Sequence, residues 1–308
     1  MMSIYQTAAA TALFVLASAF SADAQKPGAS SGAIPQWNDN SLIEIQKKGG
    51  DPTRPGNIKV EFYGHDGFKI TSPAGLTVLA DPWRNDSTGA YPNWFLNNFP
   101  PLRVDIVLST HAHFDHDAVD APQGLMVLER LAGRFVLGDV EITGLADKHE
   151  CDSTADHNSD AGAAVSQVNA CPPNNAIDLD NAIQIIATGG LRIAIWGDNR
   201  AVPDASLDHY LKDVDVLILP VDNVLTRPEA DAIIRKYDPK AVIPSHYSVK
   251  GLTTEASGLE SADSWVSNQE KTHAEVRRLS RADLTLSPAE LKGSRHRIYY
   301  FGHNFETK

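Results

Sequence analysis

Residues 109–117 read Ser-Thr-His-Ala-His-Phe-Asp-His-Asp and follow the apolar run Val104-Asp105-Ile106-Val107-Leu108. Such a run suits a strand covered on both faces, and the three imidazoles and two carboxylates at its C-terminal end require a polar cavity there. In extended backbone alternate side chains point the same way, so His111 and His113 can each turn a nitrogen to one ion. Asp115 and His116 follow where the chain turns, and can face a second. Two ions ~3.5–4 Å apart account for the crowding. A solvated loop with Asp117 capping a helix is the plainer alternative, but H-x-H-x-D-H spacing directly after an apolar strand carries more than capping needs.

Upstream, Lys59–Tyr63, Gly67–Thr71 and Leu76–Ala80 alternate with Gly, Asp and Pro signals and predict an antiparallel meander. Downstream, strands are expected at 125–128, 135–137, 140–143, 183–187, 191–196, 214–219 and 241–244. Helices are expected at 206–212, 228–237 and 261–279, and a final strand at 296–301 should complete the second sheet. Thr226-Arg227-Pro228-Glu229 is a capping-box pattern with an early proline, which marks the start of the second helix. Strands first, then strands alternating with helices, predict a layered α/β sandwich.

The N-terminus adds a compartment. Residues 7–20 are small and apolar throughout and precede Ala22-Asp23-Ala24, a small-x-small cleavage pattern. Residues 1–24 therefore read as a signal peptide, since about 14 apolar residues fall short of the ~20 that span a bilayer. Residues 25–57 read as an irregular lead-in with one short helix at 41–48, and 58–308 as the folded domain. The expected location is periplasmic or secreted. The formal charge is −12, and removal of residues 1–24 deletes only Asp23 among charged side chains and leaves about −11. That sign disfavours nucleic-acid and membrane partners and leaves a small-molecule substrate. In an oxidising compartment Cys151 and Cys171 are expected to pair, two buried thiols being the alternative.

The H-x-H-x-D-H run resembles the signature of the metallo-β-lactamase fold superfamily. That resemblance implies a four-layer αββα sandwich with a dinuclear site where the two sheets meet, and it implies further ligands in chain order. His149 ends the segment begun at Val140, Gly197-Asp198 closes Ile193–Trp196, and His246 follows Ala241–Ser245. By this carry-over His111, His113 and His149 hold one ion, Asp115, His116 and His246 the other, and Asp198 bridges. His157, in the same loop region, competes with His149. Tyr63-Gly-His-Asp-Gly-Phe-Lys-Ile70, Leu79-Ala-Asp-Pro82, Leu219-Pro-Val-Asp-Asn223 and Pro244-Ser-His-Tyr247 are similar to the branch that includes L-ascorbate-6-phosphate lactonase-like metal-dependent hydrolases. This likeness covers roughly residues 58–250.

Imidazole and carboxylate donors suit zinc, with manganese or iron as alternatives. Two such ions lower the pKa of a shared water to give a metal-bound hydroxide, so the expected activity is hydrolysis of a lactone, ester or amide-like bond. Small phosphodiesters are an alternative, as are an iron-dependent oxidoreductase and a metal-binding protein without turnover. In the superfamily that this chain resembles, the redox members replace a motif histidine with a carboxylate, so the intact His113 argues against the oxidoreductase. Asp115 binds metal, steers water, or does both. Asn223 and Tyr247 are candidate donors to the substrate, and His65 reads as a strand-end histidine that orients a ligand. The loop 83–101 concentrates five aromatic residues, Trp83, Tyr91, Trp94, Phe95 and Phe99, which either wall a substrate pocket or pin the loop to the core.

Overall fold

The computed structural model describes residues 50–149 and 179–308. The expectations for residues 1–49, for the Cys151–Cys171 pair and for His157 fall outside the described residues.

The first sheet begins with the meander, β1 (Ile58–Phe62), β2 (Phe68–Thr71) and β3 (Thr77–Ala80), and continues through β4 (Arg103–Ser109) and β5 (Gln123–Glu129). With β13 (Asp283–Leu286) its order is β13-β1-β2-β3-β4-β5. The meander pairs antiparallel, whereas β3, β4 and β5 run parallel. Val104, Ile106, Val107 and Leu108 on β4 are all buried, which is why this strand reads as continuously apolar rather than alternating.

The second sheet contains β6 (Gly133–Leu137), β7 (Val140–Asp147), β8 (Asn181–Thr188), β9 (Leu191–Ile195), β10 (Val216–Pro220), β11 (Ala241–Ser245), β12 (Val276–Arg278) and β14 (Arg297–Tyr300). Its order is β12-β14-β11-β10-β9-β8-β7-β6. Both sheets feed one core cluster, in which Val60, Val78 and Ile106 of the first join Ile186, Ile193 and Ile218 of the second. Two mixed sheets sharing a core, with helices on the connections, are consistent with the expected sandwich.

The expected helix at 206–212 appears as a 3-10 turn (Ala205–Leu207) running into α1 (Asp208–Leu211). α2 (Arg227–Tyr237) carries the predicted capping box: Glu229 N–H donates to Thr226 Oγ1 at 3.4 Å and Thr226 N–H to Glu229 Oε2 at 2.8 Å. Its Ala230, Ile233, Ile234 and Tyr237 are buried at helical spacing. The expectation of one helix over 261–279 is corrected. α3 (Asp263–Lys271) ends where Thr272 N–H turns back onto the Asn268 and Gln269 carbonyls and His273 takes φ 67°. The chain beyond is then recruited as β12 by pairing with β14. No helix among the described residues is long and apolar enough to cross a membrane.

Candidate metal centre

β4 delivers the motif. Just past its end Thr110 donates through N–H and Oγ1 to the two Asp81 oxygens, at 2.8 and 2.7 Å, and Asp81 Oδ2 also lies 3.0 Å from His116 Nδ1. One buried carboxylate thus fixes the start of the motif and the ring of its last histidine. The turn closes where His116 and Asp117 N–H both reach the His113 carbonyl, at 3.0 and 2.9 Å. From the second sheet the chain after β9 comes up against Thr110. Gly197 sits at φ 57°, and a Cβ there would lie 2.5 Å from Thr110 Oγ1; only glycine permits that approach. The next residue is Asp198.

Asp198 divides its two oxygens. Oδ2 faces His111 Nε2 at 3.5 Å and His149 Nε2 at 3.3 Å, while Oδ1 faces His116 Nε2 at 3.3 Å and His246 Nε2 at 3.6 Å. Donor atoms of His111, His113, His149 and Asp198 lie within 4.8 Å of one another, and so do those of His65, Asp115, His116 and His246. The structure therefore brings together all seven residues expected as ligands, with His149 in the place contested by His157. It adds His65, whose Nε2 is 3.0 Å from Asp115 Oδ2 and which is fully buried.

Backbone strain gathers at the same point. His65, Asp81 and His246 have φ of 57°, 46° and 53°, a region that bulky residues rarely adopt and that collects at functional sites. His246 N–H donates to the His65 carbonyl at 3.2 Å, and the two rings lie 4.1 Å apart. The signal that could have raised His65 was present in its short turn, Gly64-His65-Asp66, between two strands. Asp66 is fully buried with neither oxygen hydrogen-bonded, 3.8 Å from His116 Nδ1.

Electrostatics match a cation site. Burial raises Asp115 and Asp198, yet His116 and the surrounding imidazoles overcome it and hold both carboxyls well below their usual range. Burial and neighbouring histidines push His111 down, and His65 down to about 4. His116 and His246 shift the other way despite burial, because Asp198 and Asp115 surround them; His246 reaches about 9. Burial and Asp66 push Asp81 up to about 6, against the opposing pull of His116. Protons on His116 and His246 thus balance carboxylates that a divalent ion would neutralise instead. His111 Nε2, His116 Nε2, His246 Nε2 and Asp198 Oδ1 are buried without a hydrogen-bond partner. Buried polar atoms left unpaired are costly, and metal cations held by these groups would satisfy all four. These residues fit a metal centre.

The two expected substrate donors fare differently. Tyr247 is corrected: it is fully buried, its ring packs on Phe62 and Tyr300, and its hydroxyl donates to the Gly302 carbonyl at 3.0 Å. Its expected donor role fails because the residue after a left-handed His246 turns into the core, where its hydroxyl is taken by Gly302. Asn223 is exposed at φ 63° on the turn after β10, and its neighbour Asp222 accepts from Glu260 N–H at 2.6 Å.

The aromatic loop divides. Trp83, Phe95 and Phe99 are buried, with Trp83 stacked on Phe95 at 4.2 Å and edge-on to Phe99 at 5.3 Å. Tyr91 and Trp94 stay partly exposed and meet Phe114 of the motif at 5.4 and 5.1 Å.

Residues 59–246 match the Beta-lactamase superfamily domain family. A UPF0173 metal-dependent hydrolase of Koribacter versatilis is 27% identical over 229 residues, covering 66% of this chain and 90% of that protein. A second, from Thermodesulfovibrio yellowstonii, is 26% identical over 216 residues, covering 62% and 79%. Among solved structures, a Thermotoga maritima protein assigned to the Zn-dependent hydrolases of the metallo-β-lactamase superfamily superposes with a TM-score of 0.53 at 20% identity. That match covers 79% of this chain and 98% of the other, and what it shares is the fold.

Proposed function

The chain belongs to the Beta-lactamase superfamily domain family and is a metal-dependent hydrolase, and from that premise we propose that it holds two divalent ions bridged by Asp198 and hydrolyses a lactone, ester or amide-like bond. The observation that carries this reading is the division of Asp198, with one oxygen toward His111 and His149 and the other toward His116 and His246. A carboxylate serving one ion has no need to turn its two oxygens to separate imidazole pairs.

His111, His113 and His149 would hold one ion, and Asp115, His116 and His246 the other, with His65 completing the buried end. Zinc is the preferred metal for this donor set, with manganese or iron as alternatives. Such ions, when bound, lower the pKa of water and polarise the electrophile. The chain's own part is positional. Asp81 fixes the His116 ring through Nδ1, and His65 fixes the Asp115 carboxylate, leaving its other oxygen to orient the attacking water and take its proton. We further propose that the signal sequence exports the protein to the periplasm or beyond.

Metal analysis of the purified mature protein should find close to two ions per chain, and one or none after careful loading overturns the bridged arrangement. A panel of lactones, aryl esters, β-lactams and bis-aryl phosphodiesters, run with zinc and with manganese, tests the bond class. Turnover confined to the phosphodiesters would replace the ester and lactone reading. The N-terminal residue of the mature protein tests export, with Gln25 expected.

A further inference from the structure

We propose that Tyr91, Trp94 and Phe114 form a preorganised wall that binds a planar, apolar ring of the substrate, so that the bond cleaved belongs to a ring-bearing lactone, ester or amide. This rests on the hydrolase reading above and adds what that reading leaves open, the chemical class of the group beside the scissile bond.

The wall is continuous with the metal centre. Trp94 lies edge-on to His65, with centroids 6.2 Å apart at 72°, and His65 bonds Asp115. Phe114 stands between His113 and Asp115 in the motif itself and meets Trp94 at 78°, a near-perpendicular corner, while Tyr91 meets Phe114 at 5.4 Å, tilted by 42°. All three rings are partly exposed, in contrast to the buried Trp83, Phe95 and Phe99 of the same loop. A flat group entering such a corner can stack on one ring and present its edge to the other, both favoured aromatic geometries. Burial raises the Tyr91 phenol and the Asp115 charge raises it further, which places the wall within electrostatic reach of the ligand carboxylate.

The rings are also held in place. Asn85 Nδ2 donates to the Phe95 carbonyl at 2.9 Å and Phe95 N–H returns a bond to Asn85 Oδ1 at 2.8 Å. Asp86 accepts from Tyr91 N–H at 3.0 Å. From a distant segment, Thr254 N–H reaches the Trp94 carbonyl at 2.8 Å and its Oγ1 the Asn93 carbonyl at 2.6 Å. A surface ordered before the ligand arrives loses less entropy on binding. Charge sharpens the class further, because the only cation of residues 83–99, Arg84, turns to Asp120 at 3.1 Å. The loop side of the wall therefore offers rings and no cationic side chain, so the group seated against it is recognised by apolar and aromatic contact.

The test uses the metal-loaded full chain and two readouts. In calorimetry, phenylacetate should bind at least about tenfold more tightly than acetate, the scale expected of a buried ring with aromatic contacts. Trp94→Ala should remove most of that preference and Trp94→Phe should keep it. In turnover, phenyl-substituted γ-butyrolactone should exceed γ-butyrolactone in kcat/KM by a similar factor, and Trp94→Ala should lower that ratio. Equal binding of phenylacetate and acetate, or a preference that Trp94→Ala leaves intact, overturns the wall. Preferential phenylacetate binding lost in Trp94→Ala, with no lactone, ester or amide turned over, keeps the wall and overturns the hydrolase reading instead.

Discussion

His65 and Asp115, 50 positions apart, are joined by one hydrogen bond, whereas Asn85 and Phe95, 10 positions apart, are joined by two. The difference separates the two halves of the site. The His/Asp cluster is assembled from the ends of strands in both sheets, with left-handed backbone at His65, Asp81 and His246, and its geometry exists only when the sheets are docked. The aromatic wall takes two of its three rings from one loop, braced by bonds within that loop and by Thr254. Chemistry is thus tied to the global fold and recognition to a local segment, so substitutions in the two halves should fail in different ways.

The largest effect is expected at Asp198. Asp198→Ala removes the carboxylate shared by both imidazole groups, and both metal content and turnover should collapse together, by more than the ~10–100-fold typical of losing a partner that only orients a ligand. Full metal content with turnover lost would make Asp198 a reacting group rather than a bridge, and would break the assignment of the cluster as a unit.

A smaller loss is expected at His65, the residue where the two halves touch. His65→Ala leaves the Asp115 carboxylate without its 3.0 Å partner, and metal affinity at the buried group should fall ~10–100-fold. His65→Asn, which can still donate, should recover part of it. Competition against a chelator reads the change directly. If affinity holds and only the phenylacetate preference moves, His65 belongs to the wall rather than to the cluster.

These two halves also differ in how far the sequence reveals them. Ligand types at fixed spacing after an apolar strand have one economical use, and Thr226-x-x-Glu229 has one local geometry, so both are visible in a linear chain. His65 was legible as a strand-end histidine that orients a ligand, but not which ligand, because a lone histidine between strands has many uses; its positive φ and its bond to Asp115 decide it. Tyr247 read as a candidate donor to the substrate, yet it is buried in the core with its hydroxyl on the Gly302 carbonyl. In the loop, Phe95 and Trp94 are neighbours of the same chemical class, one buried and one partly exposed; hydrophobicity cannot tell them apart, because which face the loop presents is decided by Asn85 and by Thr254 of a distant segment. The helix expected over 261–279 fails similarly, where pairing with β14 takes Val276–Arg278 away from it.

A third, more modest effect isolates the wall. Asn85→Ala strips the Phe95 N–H and carbonyl of their partners, which should cost the loop about 1–3 kcal/mol of local stability. KM for ring-bearing substrates should rise while metal stoichiometry stays at the wild-type value. Loss of metal in this variant would show that the loop supports the cluster and that the separation of the halves is wrong.

The smallest effect is a pH dependence confined to the same loop. The Thr88 backbone N–H and hydroxyl, with the Tyr91 N–H, hold the Asp86 carboxyl down to about 2, below its ordinary 3.8. A carboxyl lowered on folding contributes stability above its unfolded value and loses it as pH falls through the folded one, so the contribution is complete above about pH 4 and fades toward pH 2. Because Asp86 is exposed to solvent the contribution is small. The melting temperatures of the wild type and Asp86→Ala should therefore differ slightly and constantly from pH 7 to pH 5, then converge between pH 4 and pH 2.5. A difference that begins to close near pH 6 would place its origin in the buried cluster, where Asp81 is raised to about 6, and would mean that the loop and the metal centre titrate as one unit.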